Sequence, residues 1–295
     1  MPKTFSQFNE TDPLQSVIIG RWKGYRKVEA YVERVNVEQQ KGLPTTQELQ
    51  PEFEQFQQVL EKNGVEVLIP EYVGKFVYDQ LTPRDTAVVI GNKLVLCNMV
   101  KNSRKYECAG IFPLIAGYAG REPDVLIPPA DCLLEGGDII VDKGRILVGI
   151  SQRTNLPGFQ WLQQTFGNDF EVVAVHTRQL EEGENVLHLD CAFNPVGHNL
   201  ALIYEEGFKA IPDSLIDDYE WIKVNQEEQQ ALATNVLSIS NQIVIARDHP
   251  HCKRITHLLQ KQGIKVEEVK FDGAPSTGGS FRCCSMPLVR LDNGL

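Results

Sequence analysis

Several features are scarce in this chain, and each absence excludes something. No apolar run approaches the length of a membrane span, and Met1 to Glu10 (MPKTFSQFNE) contain no apolar core of signal-peptide length. The expectation is a cytoplasmic protein with no membrane partner. Basic residues are in deficit: 29 Lys and Arg against 39 Asp and Glu leave a formal charge of −10. Such a surface argues against nucleic acid or an anionic membrane as the main partner and suits a cationic ligand better. Paired cysteines are also missing. The seven that occur (Cys97, Cys108, Cys132, Cys191, Cys252, Cys283 and Cys284) are odd in number and scattered, without the spacing of a zinc ribbon or the density of a disulfide scaffold. Reduced thiols are expected, most of them acting as small buried hydrophobes. Finally, no break in composition and no Pro/Gly/Ser-rich linker divides the chain, so residues 1–295 are expected to form one domain around a substantial core.

What the chain does have is a repeat. Two β-branched-rich apolar runs separated by a short polar turn recur at TAVVIGNKLVLCN (86–98), DIIVDKGRILVGI (138–150), FNPVGHNLALIY (193–204) and VLSISNQIVIARD (236–248). Each reads as a β-hairpin, with turns built largely of residues that tolerate positive φ. A helix-length segment and another short apolar run follow each one. These are a helix near Ser103 to Tyr118 with DVLIP (124–128), PGFQWLQQTFG (157–167) with FEVVAVH (170–176), IPDSLIDD (211–218) with YEWIKV (219–224), and HPHCKRITHLLQKQG (249–263) with IKVEEVKF (264–271). The amino-terminal part supplies SVIIGR (16–21), a helix over Thr46 to Asn63 and VEVLIP (65–70), but lacks one hairpin strand. CSMPLVRL (284–291) can supply it by pairing with residues 16–21, which joins the two ends of the chain and closes a ring of five units. Such a ring removes most sheet edges and leaves an axial channel. An ordinary open α/β sheet is the alternative. Lys23 to Leu43 is polar and irregular, the pattern of a flap over the channel.

Polar or ionisable residues recur just before the first strand of a unit: Asp85 in TPRDTAVV, Glu135 and Asp138 in LLEGGDII, His188 and Asp190 in VLHLDCAF, and Cys283–Cys284 before the closing strand. Rotation about the ring would bring these positions to one mouth of the channel. Taken singly, each has an ordinary explanation: Asp85 and Asp138 as turn or strand-entry residues, His188 as a core histidine. His249, His251 and Cys252 invite a metal reading, but two histidines two apart at a helix start do not share a face. Taken together, the convergent set has a coherent chemistry. Carboxylates grip a planar cation through paired charge-assisted hydrogen bonds, a thiolate attacks a poor electrophile, and a histidine moves protons.

These residues carry a resemblance to the guanidino-group-modifying enzymes: arginine deiminases, dimethylarginine dimethylaminohydrolases and amidinotransferases. NETDPLQSVIIGR (9–21), TPRDTAVVIGN (82–92), LEGGDIIV (134–141), GISQRTN (149–155), HLDCAFNPVG (188–197) and GGSFRCCSMP (278–287) fall in the family's order. The resemblance implies a five-bladed pseudosymmetric α/β propeller and a small guanidino substrate, with no cofactor and no metal. It implies Cys283 as nucleophile, with Cys284 at the variable position, and His188 as general acid and base. Asp85 and Asp190 would grip the guanidinium, with Glu135 as a further carboxylate, and Arg153 and Arg104 would be ligands for a substrate carboxylate. Water attack on the resulting covalent amidino intermediate gives a ureido product; an amine acceptor gives a new guanidine. LEGGD, GISQRTN and the Cys-x-Ser-x-Pro ending resemble the hydrolases, whereas NETDPLQSVIIGR, TPRD, NSRKYE and GGSFRC resemble amidinotransferases. A hydrolase acting on arginine or a close derivative is the preferred reading, and an amidinotransferase the alternative. Asp190 favours an unsubstituted guanidinium, and Arg282 stands where the vertebrate amidinotransferases have histidine. A non-enzymatic propeller binding protein would have no need for Cys283, His188 and the carboxylates together. A homo-oligomer is compatible with the sequence but not indicated by it.

Overall fold

The computed structural model describes residues 3–28, 37–74, 77, 79–118, 124–179, 182, 184 and 186–291. Its strands form five separate three-stranded sheets, the blades of an α/β propeller. In the first blade β1 (Leu14–Ile19) pairs in parallel with β2 (Glu66–Leu68), and between them lie α1 (Val37–Gln40) and α2 (Thr46–Lys62). Thr45 and Glu48 form a reciprocal capping box that satisfies free N–H groups at the start of α2. Leu49, Phe53, Phe56 and Leu60 recur at helical spacing and are fully buried. Each such side chain contributes roughly 1.5–3 kcal/mol of burial.

The second blade joins β3 (Ala87–Ile90) and β4 (Lys93–Leu96) as an antiparallel hairpin and adds β5 (Val125–Leu126) in parallel. The same order recurs with β6 (Ile139–Asp142), β7 (Arg145–Ile150) and β8 (Glu171–His176) around α4 (Leu156–Phe166), the short α3 (Phe112–Ile115) belonging to the preceding unit. It recurs again with β9 (Phe193–Pro195), β10 (Leu200–Ile203) and β11 (Glu220–Lys223) around α5 (Asp213–Asp217). After α6 (Gln226–Gln230), the fifth set is β12 (Leu237–Ser240), β13 (Ile243–Arg247), α7 (Lys253–Lys261) and β14 (Lys265–Val269). The final strand, β15 (Ser285–Arg290), pairs antiparallel with β1, from Leu14 opposite Arg290 to Ile19 opposite Ser285. This is the ring closure expected from the sequence.

One expected element is different. Ser103 to Tyr118 contains only turns, a 3-10 segment over Glu107–Ile111 and the four residues of α3. Gly110 and Pro113 interrupt a regular helix here. Gly110 is also required where it stands, because a Cβ would lie 2.5 Å from both the Glu71 carbonyl oxygen and Gln80 Nε2. Of the flap reading over Lys23 to Leu43, residues 29–36 lie outside the described residues. The helical turn Val37–Gln40 packs inward, with Glu38 and Gln39 buried.

The first strand of each hairpin starts at one mouth of the ring, and the hairpin turns lie at the other. The amino-terminal arm crosses the turn end. Ser6 N–H donates to Leu288 (3.0 Å), Gln7 exchanges backbone bonds with Gly91 (2.9 and 2.8 Å), and Glu10 N–H donates to Asp142 Oδ1 (3.2 Å). From this arm the Glu10 carboxylate accepts both terminal nitrogens of Arg282, and the backbone carbonyl of Asp12 accepts Arg290 Nη1 (2.6 Å). Arg84, Arg282 and Arg290 are each 2 % exposed or less, so the axis is filled by a column of buried charge rather than by apolar packing. Glu10 is the counter-ion of that column. Burial opposes its ionisation, but Arg282 and Arg84 outweigh it and hold the carboxyl down at about 2.

Among the described residues, no helix is long and apolar enough to cross a membrane, and all seven cysteines are free thiols.

Candidate active site

Three short 3-10 segments, Pro83–Asp85, Gly136–Asp138 and Leu189–Cys191, stand at the same place in their blades, immediately ahead of β3, β6 and β9. Each turns an acidic side chain inward before the chain enters a buried strand. Cys283 occupies the corresponding place ahead of β15. Residues as far apart in sequence as Asp85 and Cys283 therefore line one narrow cavity, together with Gln39, Asp79, Thr82, Arg104, Arg153, His188 and Gly278.

His188 is the hub. Its Nε2 lies 2.8 Å from Glu135 Oε2, and its Nδ1 lies 3.8 Å from Asp85 Oδ1. Burial alone would push the imidazole toward neutrality, but Asp85, Glu135 and Asp138 outweigh it and raise His188 to about 10. These carboxylates therefore favour the imidazolium form of His188. The reciprocal effect appears on Glu135, where burial is overcome by His188 and Arg153 and the carboxyl falls to about 2. Glu135 is fully buried and also accepts Val100 N–H (3.2 Å) and Arg153 Nη1 (3.5 Å). Asp138 acts one step behind. It accepts Leu189 N–H (2.8 Å) and the Ser151 hydroxyl (2.6 Å), fixing the backbone next to His188, and burial raises it to about 7. Gly137 lets the ring approach, because a Cβ there would stand 2.7 Å from His188 Cγ.

Cys283 is 3 % exposed, with its sulfur 3.9 Å from Asp190 Oδ2 and 3.1 Å from Asn235 Nδ2. Burial, then the charges of Asp190 and Asp85, push its thiol well above the ordinary cysteine range. These surroundings favour the protonated thiol. Cys284 points the other way, into an apolar cluster with Phe53, Phe56 and Phe281. Asp190 is fully buried and lies 3.3 Å from Arg282 Nε.

Of the two arginines named from the sequence, Arg153 is buried and Arg104 half-buried, both at the cavity wall. Arg104 donates to Asp85 Oδ2 (2.8 Å), Thr82 Oγ1 (2.8 Å) and both oxygens of Glu107 (2.9 Å each). Arg153 reaches Glu135. All seven predicted site residues, Cys283, His188, Asp85, Asp190, Glu135, Arg153 and Arg104, thus gather around one cavity or directly behind its wall. Asp85, Glu135 and His188 also bring ligand atoms within 4.8 Å of one another, a donor set that suits a hard cation. Arg104 and Arg153 already supply positive charge to those carboxylates, which disfavours a metal ion there.

Several residues of the site were not singled out from the sequence. Asn235 stands two residues ahead of β12, the position that Asp85 and Cys283 occupy ahead of β3 and β15. Extending the positional rule to the fourth hairpin would have found it. Asp79, a buried carboxylate raised by desolvation, lines the cavity mouth, and Glu107 braces Arg104. Glu10 lies within the NETDPLQ motif, but its pairing with Arg282 spans almost the whole chain and leaves no local pattern.

A sequence-family model described as N,N dimethylarginine dimethylhydrolase, eukaryotic, matches residues 30–290. The uncharacterized protein YkgA of Bacillus subtilis (strain 168) is 34% identical over 235 residues, covering 79% of this chain and 77% of the relative. Among solved structures, SxtG, an amidinotransferase from Microseira wollei, superposes with a TM-score of 0.85 at 19% identity, over 98% of each chain. DDAH from Pseudomonas aeruginosa complexed with citrulline superposes with a TM-score of 0.75 at 19% identity, over 93% of this chain and 99% of the other. At these identities the superpositions establish the five-bladed fold.

Proposed function

The chain belongs to the N,N-dimethylarginine dimethylhydrolase family, within the guanidino-group-modifying enzymes, and from that premise we propose that it hydrolyses the guanidinium group of arginine or a close arginine derivative through a covalent intermediate on Cys283. The observation that carries this reading is the convergence of a buried thiol, a histidine and Asp85 on a single narrow cavity, with Glu135 and Asp190 directly behind its wall.

In this reading Asp85 and Asp190 take the planar cation from two sides. The cation offsets the carboxylate charge that holds the proton on Cys283, so substrate binding generates the thiolate as that proton passes to solvent. Sulfur then attacks the guanidinium carbon. The carbon–nitrogen bond breaks with its electron pair on nitrogen, and His188, held as an acid by Glu135 and Asp85, supplies the proton to the departing amine. Neutral His188 then takes a proton from water as its oxygen adds to the amidino carbon. The carbon–sulfur bond breaks, and a ureido product leaves. The citrulline bound by the Pseudomonas relative is a product of this class. Asp79, Arg104 and Arg153 at the cavity wall offer both charges to the zwitterionic end of an amino acid.

An amine acceptor in place of water is the second reading, supported by the resemblance of TPRD and NSRKYE to amidinotransferases. One assay separates the two: mass spectrometry of the products from L-arginine, with and without glycine. Citrulline and ammonia in both reactions support the hydrolase. Guanidinoacetate and ornithine formed only with glycine replace it by the transferase.

A further inference from the structure

Asn235 is 1 % exposed and stands two residues ahead of its strand, the position that carries Asp85 and Cys283 in other blades. Its amide has one possible orientation. Oδ1 accepts the backbone N–H groups of Ser280 (3.2 Å) and Cys283 (3.1 Å), so Nδ2 is the end that meets the sulfur of Cys283 at 3.1 Å. A flipped amide would set its own N–H bonds against both donors.

The backbone beneath it is clamped as well. Asn194 Nδ2 donates to the carbonyls on either side, Thr234 (2.7 Å) and Val236 (2.9 Å), and the Thr234 hydroxyl donates to Cys191 (2.8 Å). The Asn235 carbonyl accepts Arg282 N–H (3.3 Å). Two buried blades thus hold one N–H bond on one sulfur atom. Around that sulfur stand Asp85 from the β3 entry, His188, Asp190 and Cys191 from the β9 entry, and Arg282 and Cys284 beside it.

We propose that Asn235 is a catalytic residue whose fixed Nδ2–H stabilises the Cys283 sulfur as a thiolate. The proposal rests on the guanidino chemistry above and adds a role at two moments. Before attack, the N–H favours the sulfur anion over the thiol. In the second half-reaction, the carbon–sulfur bond breaks, its electron pair returns to sulfur, and the same N–H receives the developing charge. No group changes oxidation state, and the proton balance remains with His188 and water. A donor prepositioned where charge develops acts without reorganisation, which is how such groups lower barriers.

The test is the pH dependence of Cys283 alkylation by iodoacetamide, read by peptide mass mapping so that only Cys283 is counted, in wild type, Asn235→Asp and Asn235→Ser. The aspartate keeps an acceptor for the two backbone N–H groups and removes the donor; the serine adds no charge. Alkylation at neutral pH is expected to fall about tenfold in the neutral variant, the factor a hydrogen bond to a charged group carries, and further in the aspartate variant. kcat should fall with KM nearly unchanged. An unchanged or faster alkylation profile in the serine variant overturns the proposal and leaves Asn235 a loop anchor. Should neither variant fold, the side-chain amide protons of Asn235 in the wild type decide. They shift as Cys283 titrates if the bond is made to the thiolate, and their indifference overturns it. Alkylation needs no turnover, so a failure of the guanidino reading would show as inactive wild type with these effects intact.

Discussion

Replacing Glu135 by glutamine removes the charge nearest His188 while keeping the side chain's size. At the observed 2.8 Å, two unit charges in a medium of effective dielectric 20 interact by about 6 kcal/mol, an upper bound for a real pair. Hydrogen bonds to a charged partner contribute about 1.5–3 kcal/mol net, which corresponds to about one to two pH units. His188 stands at about 10 with Glu135 in place, so it should titrate lower by that amount in the variant. Asp85 at 3.8 Å and Asp138 remain, so the imidazole should not fall to its unperturbed value. The glutamine can still accept from Val100 N–H and Arg153, which limits the folding penalty. The assay is NMR titration of the His188 ring, assigned by comparison with His188→Gln. kcat should drop roughly a hundredfold as the acid loses its orienting partner. A His188 titration identical to wild type would refute the electrostatic account of the site. The sign for stability follows from the same shift. The folded value lies above 6.5, so the contribution of the imidazolium is complete below about pH 6.5 and is lost as pH rises through about 10.

Three further outcomes are expected. Because burial, Asp190 and Asp85 hold the Cys283 proton in the free protein, kcat/KM should climb with pH through the neutral range, whereas kcat, measured with the cation bound, should level off at lower pH; parallel profiles would remove substrate-assisted ionisation. Asp85→Ala and Asp190→Ala should each raise KM and lower kcat in steady-state assays, since both groups touch the cation in ground and transition states. An unchanged rate in either variant would take that residue out of the site. Cys284→Ser should keep most of its turnover yet melt at lower temperature, as a hydroxyl replaces sulfur in an apolar cluster at a cost of about 1–3 kcal/mol.

Much of this architecture could be read from periodicity. The hairpins 86–98, 138–150, 193–204 and 236–248 and the pairing of the last strand with β1 follow from alternating apolar runs and turn residues. Gly91, Lys143 and Gly144 adopt the positive φ their turns require. The segment 103–118 failed because its length suggested a helix while Gly110 serves a close approach to Glu71. At the candidate site, the positional rule picked out Asp85, Glu135, His188, Asp190 and Cys283, which the fold brings close together. It did not reach contacts that exist only after folding. Glu10 neutralises Arg282 across the axis, and the contact of Asn235 with sulfur stands on a backbone that Asn194 of another blade holds at its flanking carbonyls. Such pairings depend on three-dimensional register, which no local pattern encodes.

The central claim is that Cys283 carries the amidino group between the two half-reactions. Acid-quenching the protein within the first turnovers on L-arginine and mapping its peptides by mass spectrometry tests this directly. An amidino group on the Cys283 peptide, absent from Cys283→Ser and present in Cys284→Ser, is the predicted result. Turnover with that peptide unmodified, or the group found on Cys284 or another thiol, would contradict it.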